Sequence, residues 1–288
     1  MILLENEHLS ASFVNKGAEL KQLVHKKTGI DYLWNSDPAY WAKSSPVLFP
    51  IVGALKDDAY TFDGKGYTLS RHGFAREMDF EVSQVTDTTV FFTLVHNEET
   101  LRNYPFEFQL GLRYVLEGTT LSCRYEVYNP GQQPLLFSVG GHPAFKAPLF
   151  DHEDYTDYQL KFNGDTELVY HKITDNLIDA ETVSLPLQDG VLPLTHDLFY
   201  NDALVFKSLK SSLITLQNQH AKHGLHFKFE GFPYFGIWAA KDANFVCLEP
   251  WCGIADQVGH QGKLEEKEGI NSLSPAESWS RTWQVTCF

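Results

Sequence analysis

The sequence predicts an all-β (mainly β) fold in which large antiparallel sheets pack face to face. Three observations carry this expectation. Aromatic residues make up 14% of the 288 residues, and with the β-branched residues they fall in short runs punctuated by Gly, Asn, Asp and Pro. Several runs alternate apolar and polar residues, the period-2 signature of a strand with one wet face. Runs of helical period are scarce.

In chain order, residues 59–62 and 67–69 read as a hairpin around Asp63-Gly64, and residues 80–85 and 90–95 as another around Thr86-Asp87-Thr88. Residues 98–104 are the one helix candidate, stopped by Pro105. The clearest hairpin joins residues 110–116 to 121–127 through Glu117-Gly118-Thr119: Leu110, Leu112, Tyr114 and Leu116 alternate with polar neighbours, as do Leu121, Cys123, Tyr125 and Val127. Further strands are expected at 135–139, 204–209, 213–216, 225–229, 235–239, 245–248 and 283–287. Residues 151–158 and 256–271 are polar, Gly- or acid-rich stretches that read as surface loops. With no internal repeat or linker, residues 1–288 are expected to form a single domain.

Composition narrows the function. Lys plus Arg number 23 against 37 Asp plus Glu, a net charge of −14 that repels polyphosphates and argues against nucleic acid as a partner. The longest apolar run, residues 46–55, is about half a membrane span and holds two prolines. Met1-Ile2-Leu3-Leu4-Glu5 lacks the pattern of a secretory leader, so a soluble cytoplasmic protein with no membrane partner is expected. Cys123, Cys247, Cys252 and Cys287 then read as reduced thiols.

Three polar islands hold the candidate chemistry: S-R-H-G-F-A-R at 70–76, S-V-G-G-H-P-A-F at 138–145 and C-L-E-P-W at 247–251. Each sets one proton-moving residue, His72, His142 or Glu249, beside small or apolar neighbours. Two imidazoles and a carboxylate suffice for acid–base catalysis without a cofactor. Glu249 ends an apolar run, where loss of water raises its pKa, and Pro250 is expected to stop further ladder pairing on that side, as at a strand end or edge. Trp251 offers a sugar an apolar face beside that base. The two glycines before His142 permit unusual backbone angles or close approach by a ligand. Arg71 and Arg76 put fixed positive charge around His72, able to orient hydroxyls or bind a phosphate. The plain alternatives are a surface glutamate and turn histidines. The spacings of common metal, nucleotide and serine-hydrolase motifs are absent; a two-His, one-carboxylate metal site of His72, His142 and Glu249 is the remaining alternative to a site with neither metal nor cofactor.

Taken together and in order, P-V-L-F-P-I-V-G (46–53), D-G-K-x-Y (63–67), H-G-F-A-R (72–76), G-G-H-P-A-F (140–145), N-D-A-L (201–204) and L-E-P-W-C-G (248–253) resemble the aldose 1-epimerase (galactose mutarotase) family, most closely its LacX-like branch. The resemblance implies a β-supersandwich with an open sugar cleft. It implies an isomerase in which Glu249 removes the anomeric hydroxyl proton, His142 protonates the ring oxygen, His72 hydrogen-bonds the sugar and Asp202 binds its hydroxyls. One departure stands out: an arginine that commonly precedes D-G-K-x-Y in this family is replaced by Ala54, leaving Arg71 or Arg76 to substitute. Two other functions compete, a sugar-binding or sensing protein without turnover and a mutarotase for hexose 6-phosphates. A glycoside hydrolase would need two carboxylates across the scissile bond, and Glu249 and Asp202 are the candidates.

Overall fold

A computed structural model describes residues 1–288. A nine-stranded sheet runs, in spatial order, Val191–Pro193, Tyr158–Phe162, Leu213–Asn218, Gly224–Lys228, Ser278–Cys287, Thr120–Tyr128, Gln109–Glu117, Thr89–Val95 and Glu81–Thr86. An eight-stranded sheet runs Leu177–Pro186, Glu167–Thr174, Leu204–Phe206, Tyr234–Trp238, Phe245–Cys252, Val139–Gly141 and Val47–Leu48, with Ala144–Lys146 also paired to Phe245–Cys252. A four-stranded N-terminal sheet, Ile2–Glu5, Leu9–Phe13, Leu20–His25 and Ile30–Asp31, flanks them. The pairings within all three sheets are antiparallel.

The expected hairpins form with their turns in place. Gln109–Glu117 pairs with Thr120–Tyr128 so that Leu112 faces Tyr125 and Glu117 faces Thr120, and the alternating leucines and tyrosines are buried. Asp63 and Gly64 both take left-handed backbone angles, φ +48° and +71°, as a tight two-residue turn requires. The helix spans Glu98–Asn103, capped by Asn97, whose side chain accepts from the Thr100 N–H.

Packing between the two large sheets fixes which face carries the cleft. Phe235 touches Phe227 and Phe229, ring centroids 6.2 and 4.2 Å apart. Phe235 faces Pro250 in register and Gly236 faces Glu249, so Glu249, Cys247 and Trp251 project from the opposite, outward face.

Several local expectations need correction. Residues 135–139 are not one strand: Leu135–Phe137 pairs with Asn271–Leu273, whereas Val139–Gly141 joins the eight-stranded sheet. Ser138, at the break, donates its N–H to Pro50 O instead. Pro250 does not end its strand, because Phe245–Cys252 continues through it with Phe235 and Tyr234 facing Pro250 and Trp251. N–H groups alternate between flanks, so Pro250 lacks its donor on the flank where Leu248 reaches Pro143 O, in the gap between Ala144–Lys146 and Val139–Gly141. Residues 256–271 are only partly a surface loop, since Asp256, Leu264 and Lys267 are buried. The four cysteines are free and buried, and no helix is long and apolar enough to cross a membrane.

Candidate active site

The outward face of the eight-stranded sheet carries a cleft of about 420 Å³, and Glu249, His142, His72, Arg71, Arg76, Asp202 and Trp251 all line it. The three separate polar islands of the sequence therefore converge on one sugar-sized hollow.

Glu249 sits mid-strand and 2% exposed. Burial holds its carboxyl well above the ordinary carboxylate range, against the pull of the Arg71 guanidinium. Its Oε2 lies 3.2 Å from His142 Nε2. That approach is not aligned as a hydrogen bond, and both Oε2 and the His142 Nδ1 are buried without a partner. Two unsatisfied polar atoms at the floor of an open cleft are poised for a ligand that supplies donors and acceptors.

The backbone N–H of His142 donates to Pro46 O, and its ring packs against two indoles that also touch each other, Trp41 at 4.8 Å and Trp238 edge-on at 5.6 Å. Burial, with Arg71 adding to it, pulls its pKa down to about 3. The glycines before it serve packing rather than unusual angles. A Cβ on Gly140 would sit 2.6 Å from Trp251 Cδ1, and one on Gly236 2.5 Å from Trp251 Cη2, so these two positions make room for the Trp251 ring to lie flat in the floor. Trp251 is 6% exposed and clusters with Leu48, Val205, Ile178 and Ala255, the last three of which also line the cleft.

His72 takes a left-handed backbone angle, φ +69°, a strained conformation for a non-glycine residue. Its backbone N–H donates to Gly53 O and its carbonyl accepts from the Phe49 N–H. Its ring Nδ1 accepts from the Gly53 N–H at 3.1 Å, and Arg71 Nε approaches Nε2 at 3.3 Å. A neutral ring cannot accept at both nitrogens. The amide contact is shorter and immobile, whereas Arg71 is exposed, so Nε2 carries the proton. Burial and the neighbouring His142, Arg71 and Arg76 hold the His72 pKa well below its ordinary value.

Arg71 also donates to Asn176 Oδ1 at 3.0 Å, and Arg76 Nη2 to Arg71 O at 2.9 Å. Neither guanidinium has an ion-pair partner, and Arg76 Nε is buried without any partner. Asp202 is half-buried at the rim, its Oδ1 accepting from the Ala203 N–H. Ala54 is buried and does not line the cleft; the cationic side chains there are Arg71 and Arg76.

Sequence reasoning missed Trp41, Trp238 and Asn176, which also line the cleft. It also missed the support beneath. Asp256 Oδ2 accepts from the Lys56 N–H, its Oδ1 accepts from the fully buried Lys267 ammonium at 2.8 Å, and its N–H donates to Ala54 O. The segment that presents the Gly53 amide to His72 is thus held from below by a buried ion pair.

The chain matches the family model described as aldose 1-epimerase over residues 1–282. It is 32% identical over 300 residues to the chromosomal LacX protein of Lactococcus lactis subsp. lactis, covering 99% of this chain and 98% of that protein. It superposes on a galactose mutarotase related enzyme from Lactobacillus acidophilus with a TM-score of 0.95 at 34% identity, covering 100% of this chain and 97% of the other. A galactose mutarotase-like protein from Lactobacillus casei superposes with a TM-score of 0.93 at 33% identity, each chain covered fully.

Proposed function

The chain belongs to the aldose 1-epimerase family, and from that premise we propose that it interconverts the α- and β-anomers of an aldohexose such as galactose or glucose. The observation that carries this is the Glu249–His142 pair, 3.2 Å apart, buried, mutually unaligned and open to the cleft. Glu249 takes the proton of the C1 hydroxyl while His142 delivers one to the ring oxygen. The C1–O5 bond breaks, C1 becomes a carbonyl, and rotation about C1–C2 presents its other face. Return of both protons closes the ring as the opposite anomer, with no net consumption of protons. His72, with Nδ1 occupied, offers Nε2–H to the ring oxygen or a neighbouring hydroxyl, and Asp202 accepts from sugar hydroxyls. Trp41 and Trp238 supply apolar faces for the pyranose, and Trp251 forms the floor.

Carboxylate with imidazolium and carboxyl with imidazole differ only in where one proton sits, so the pair titrates as a unit. Burial favours the uncharged arrangement in the empty cleft; sugar hydroxyls favour the charged one when substrate arrives.

A second reading, a mutarotase for hexose 6-phosphates, is supported by Arg71 and Arg76, two cleft guanidiniums with no carboxylate partner. A phosphate would receive both through charge-assisted hydrogen bonds. The test follows the optical rotation of freshly dissolved α-glucose, α-galactose and their 6-phosphates with and without protein. Acceleration of free sugars supports the first reading and acceleration confined to phosphates the second. Binding with no acceleration of any of them overturns both in favour of a sugar-binding protein.

A further inference from the structure

We propose that the floor of the cleft is also a zinc site, in which His142, Cys247 and Glu249 hold one Zn²⁺ that shuts the cleft to sugar. Cys247 and Glu249 are two residues apart on one strand and so project from the same face. Cys247 lies fully buried just behind the floor. One ligand atom from each of the three residues falls within 4.8 Å of the others. The His142 Nε2 to Glu249 Oε2 separation of 3.2 Å matches the edge of a tetrahedron with zinc bonds of ~2.0–2.1 Å.

The donors are available. Glu249 Oε2 has no hydrogen-bond partner, and His142 Nε2 meets it without an aligned hydrogen bond, so zinc between the two would displace no hydrogen bond at the carboxylate. An imidazole, a thiolate and a carboxylate form a donor set that suits zinc and suits magnesium or calcium poorly. The remaining tetrahedral position opens on the cleft and takes water.

Charge also balances. Binding strips one proton from the Cys247 thiol and one from the Glu249 carboxyl, and both leave with solvent. The product, one divalent cation with two single anions and a neutral imidazole, carries no net charge, which suits a buried floor better than an isolated carboxylate does. Burial pushes the free thiol well above its ordinary range, and the adjacent cation reverses that preference.

Zinc binding needs only the three side chains, whereas its effect on turnover rests on the proposed mutarotase reading, so the two are measured separately. Protein stripped with a chelator is titrated with Zn²⁺ against a chromogenic zinc indicator, for the wild type, Cys247→Ala and Cys247→Ser, with and without saturating galactose. One equivalent is expected to bind. Its affinity is expected to fall by about tenfold or more in Cys247→Ala and to fall when galactose is present. Cys247→Ser, close in size, controls for folding, and thermal unfolding of both variants without zinc confirms an intact fold. Polarimetry then reads whether the bound equivalent stops mutarotation while Cys247→Ala keeps turning over in the same zinc. No bound equivalent, or an affinity that Cys247→Ala leaves unchanged because zinc rests on surface histidines, overturns the proposal. Stoichiometric, Cys247-dependent binding to a protein that accelerates no sugar sustains the site and rejects the mutarotase reading instead.

Discussion

The Gly53 backbone N–H donates to His72 Nδ1 at 3.1 Å, and this bond decides what the ring can do. Protonating Nδ1 would set two N–H groups against each other, so His72 is held as a neutral donor at Nε2. His142, whose Nδ1 is unpartnered, is under no such constraint. The two histidines are T-shaped neighbours with centroids 5.7 Å apart, yet only His142 is free to carry a second proton. This is why proton delivery is assigned to His142 and hydrogen bonding to His72.

Acid stability should report both rings. Their folded pKa values lie below the ordinary histidine value of 6.5, His142 at about 3. As pH falls below 6.5 the unfolded chain takes up protons that the folded chain refuses, so their contribution is fully present above 6.5 and is lost toward pH 3. Urea midpoints measured from pH 7 to 4 should fall, and the slope should be shallower in His142→Asn. An identical slope in that variant would mean that His142 is not held neutral by the fold.

Glu249 acts in the opposite direction. Its folded pKa is raised above the ordinary 4.5, so stability is fully present below 4.5 and is lost as pH rises through the folded value. Glu249→Gln removes the penalty of burying a carboxylate, and its thermal midpoint should exceed that of the wild type at pH 7 to 8. A lower midpoint would mean that the carboxylate is stabilised where it sits. A residue whose replacement strengthens the fold while weakening turnover is retained for chemistry.

The dependence of kcat/KM on pH should be bell-shaped, because one proton shared by the pair is the working state. The acid limb, addition of a second proton, should lie below 6.5 because burial lowers His142. The alkaline limb, loss of the shared proton, should lie above 4.5 because burial raises Glu249. A profile that only rises with pH through 6.5 would point to a single exposed histidine.

Removing one partner of the Asp256–Lys267 pair should be costly, since a buried unpaired charge remains. Asp256→Asn is expected to lose about 3–5 kcal/mol in denaturant unfolding. Combining it with Lys267→Met should recover part of that loss, because the double replacement leaves no stranded charge. A double variant no more stable than the single one would mean that Asp256 acts through its backbone contacts with Lys56 and Ala54 alone.

The sequence made visible whatever depends on local pattern. Leu110 to Val127 alternates so regularly that strands, turn and buried face were all readable, and Asp63-Gly64 marks its hairpin unaided. What escaped notice depends on distant packing. Trp41 and Trp238 look like core aromatics until folding packs both against His142. Pro250 resembles a strand end because the gap that tolerates it is made by two short strands more than a hundred residues earlier. Lys267 lies in an acid-rich stretch that reads as solvated, and only the fold brings Asp256 against it.

The most direct measurement is the polarimetric rate at which α-galactose or α-glucose, or the 6-phosphate the protein prefers, reaches anomeric equilibrium with Glu249→Gln in place of the wild type. A loss of about 10²–10⁴-fold is expected in a variant that remains folded and still binds the sugar. An undiminished rate in folded Glu249→Gln would contradict the assignment of proton removal to this carboxylate.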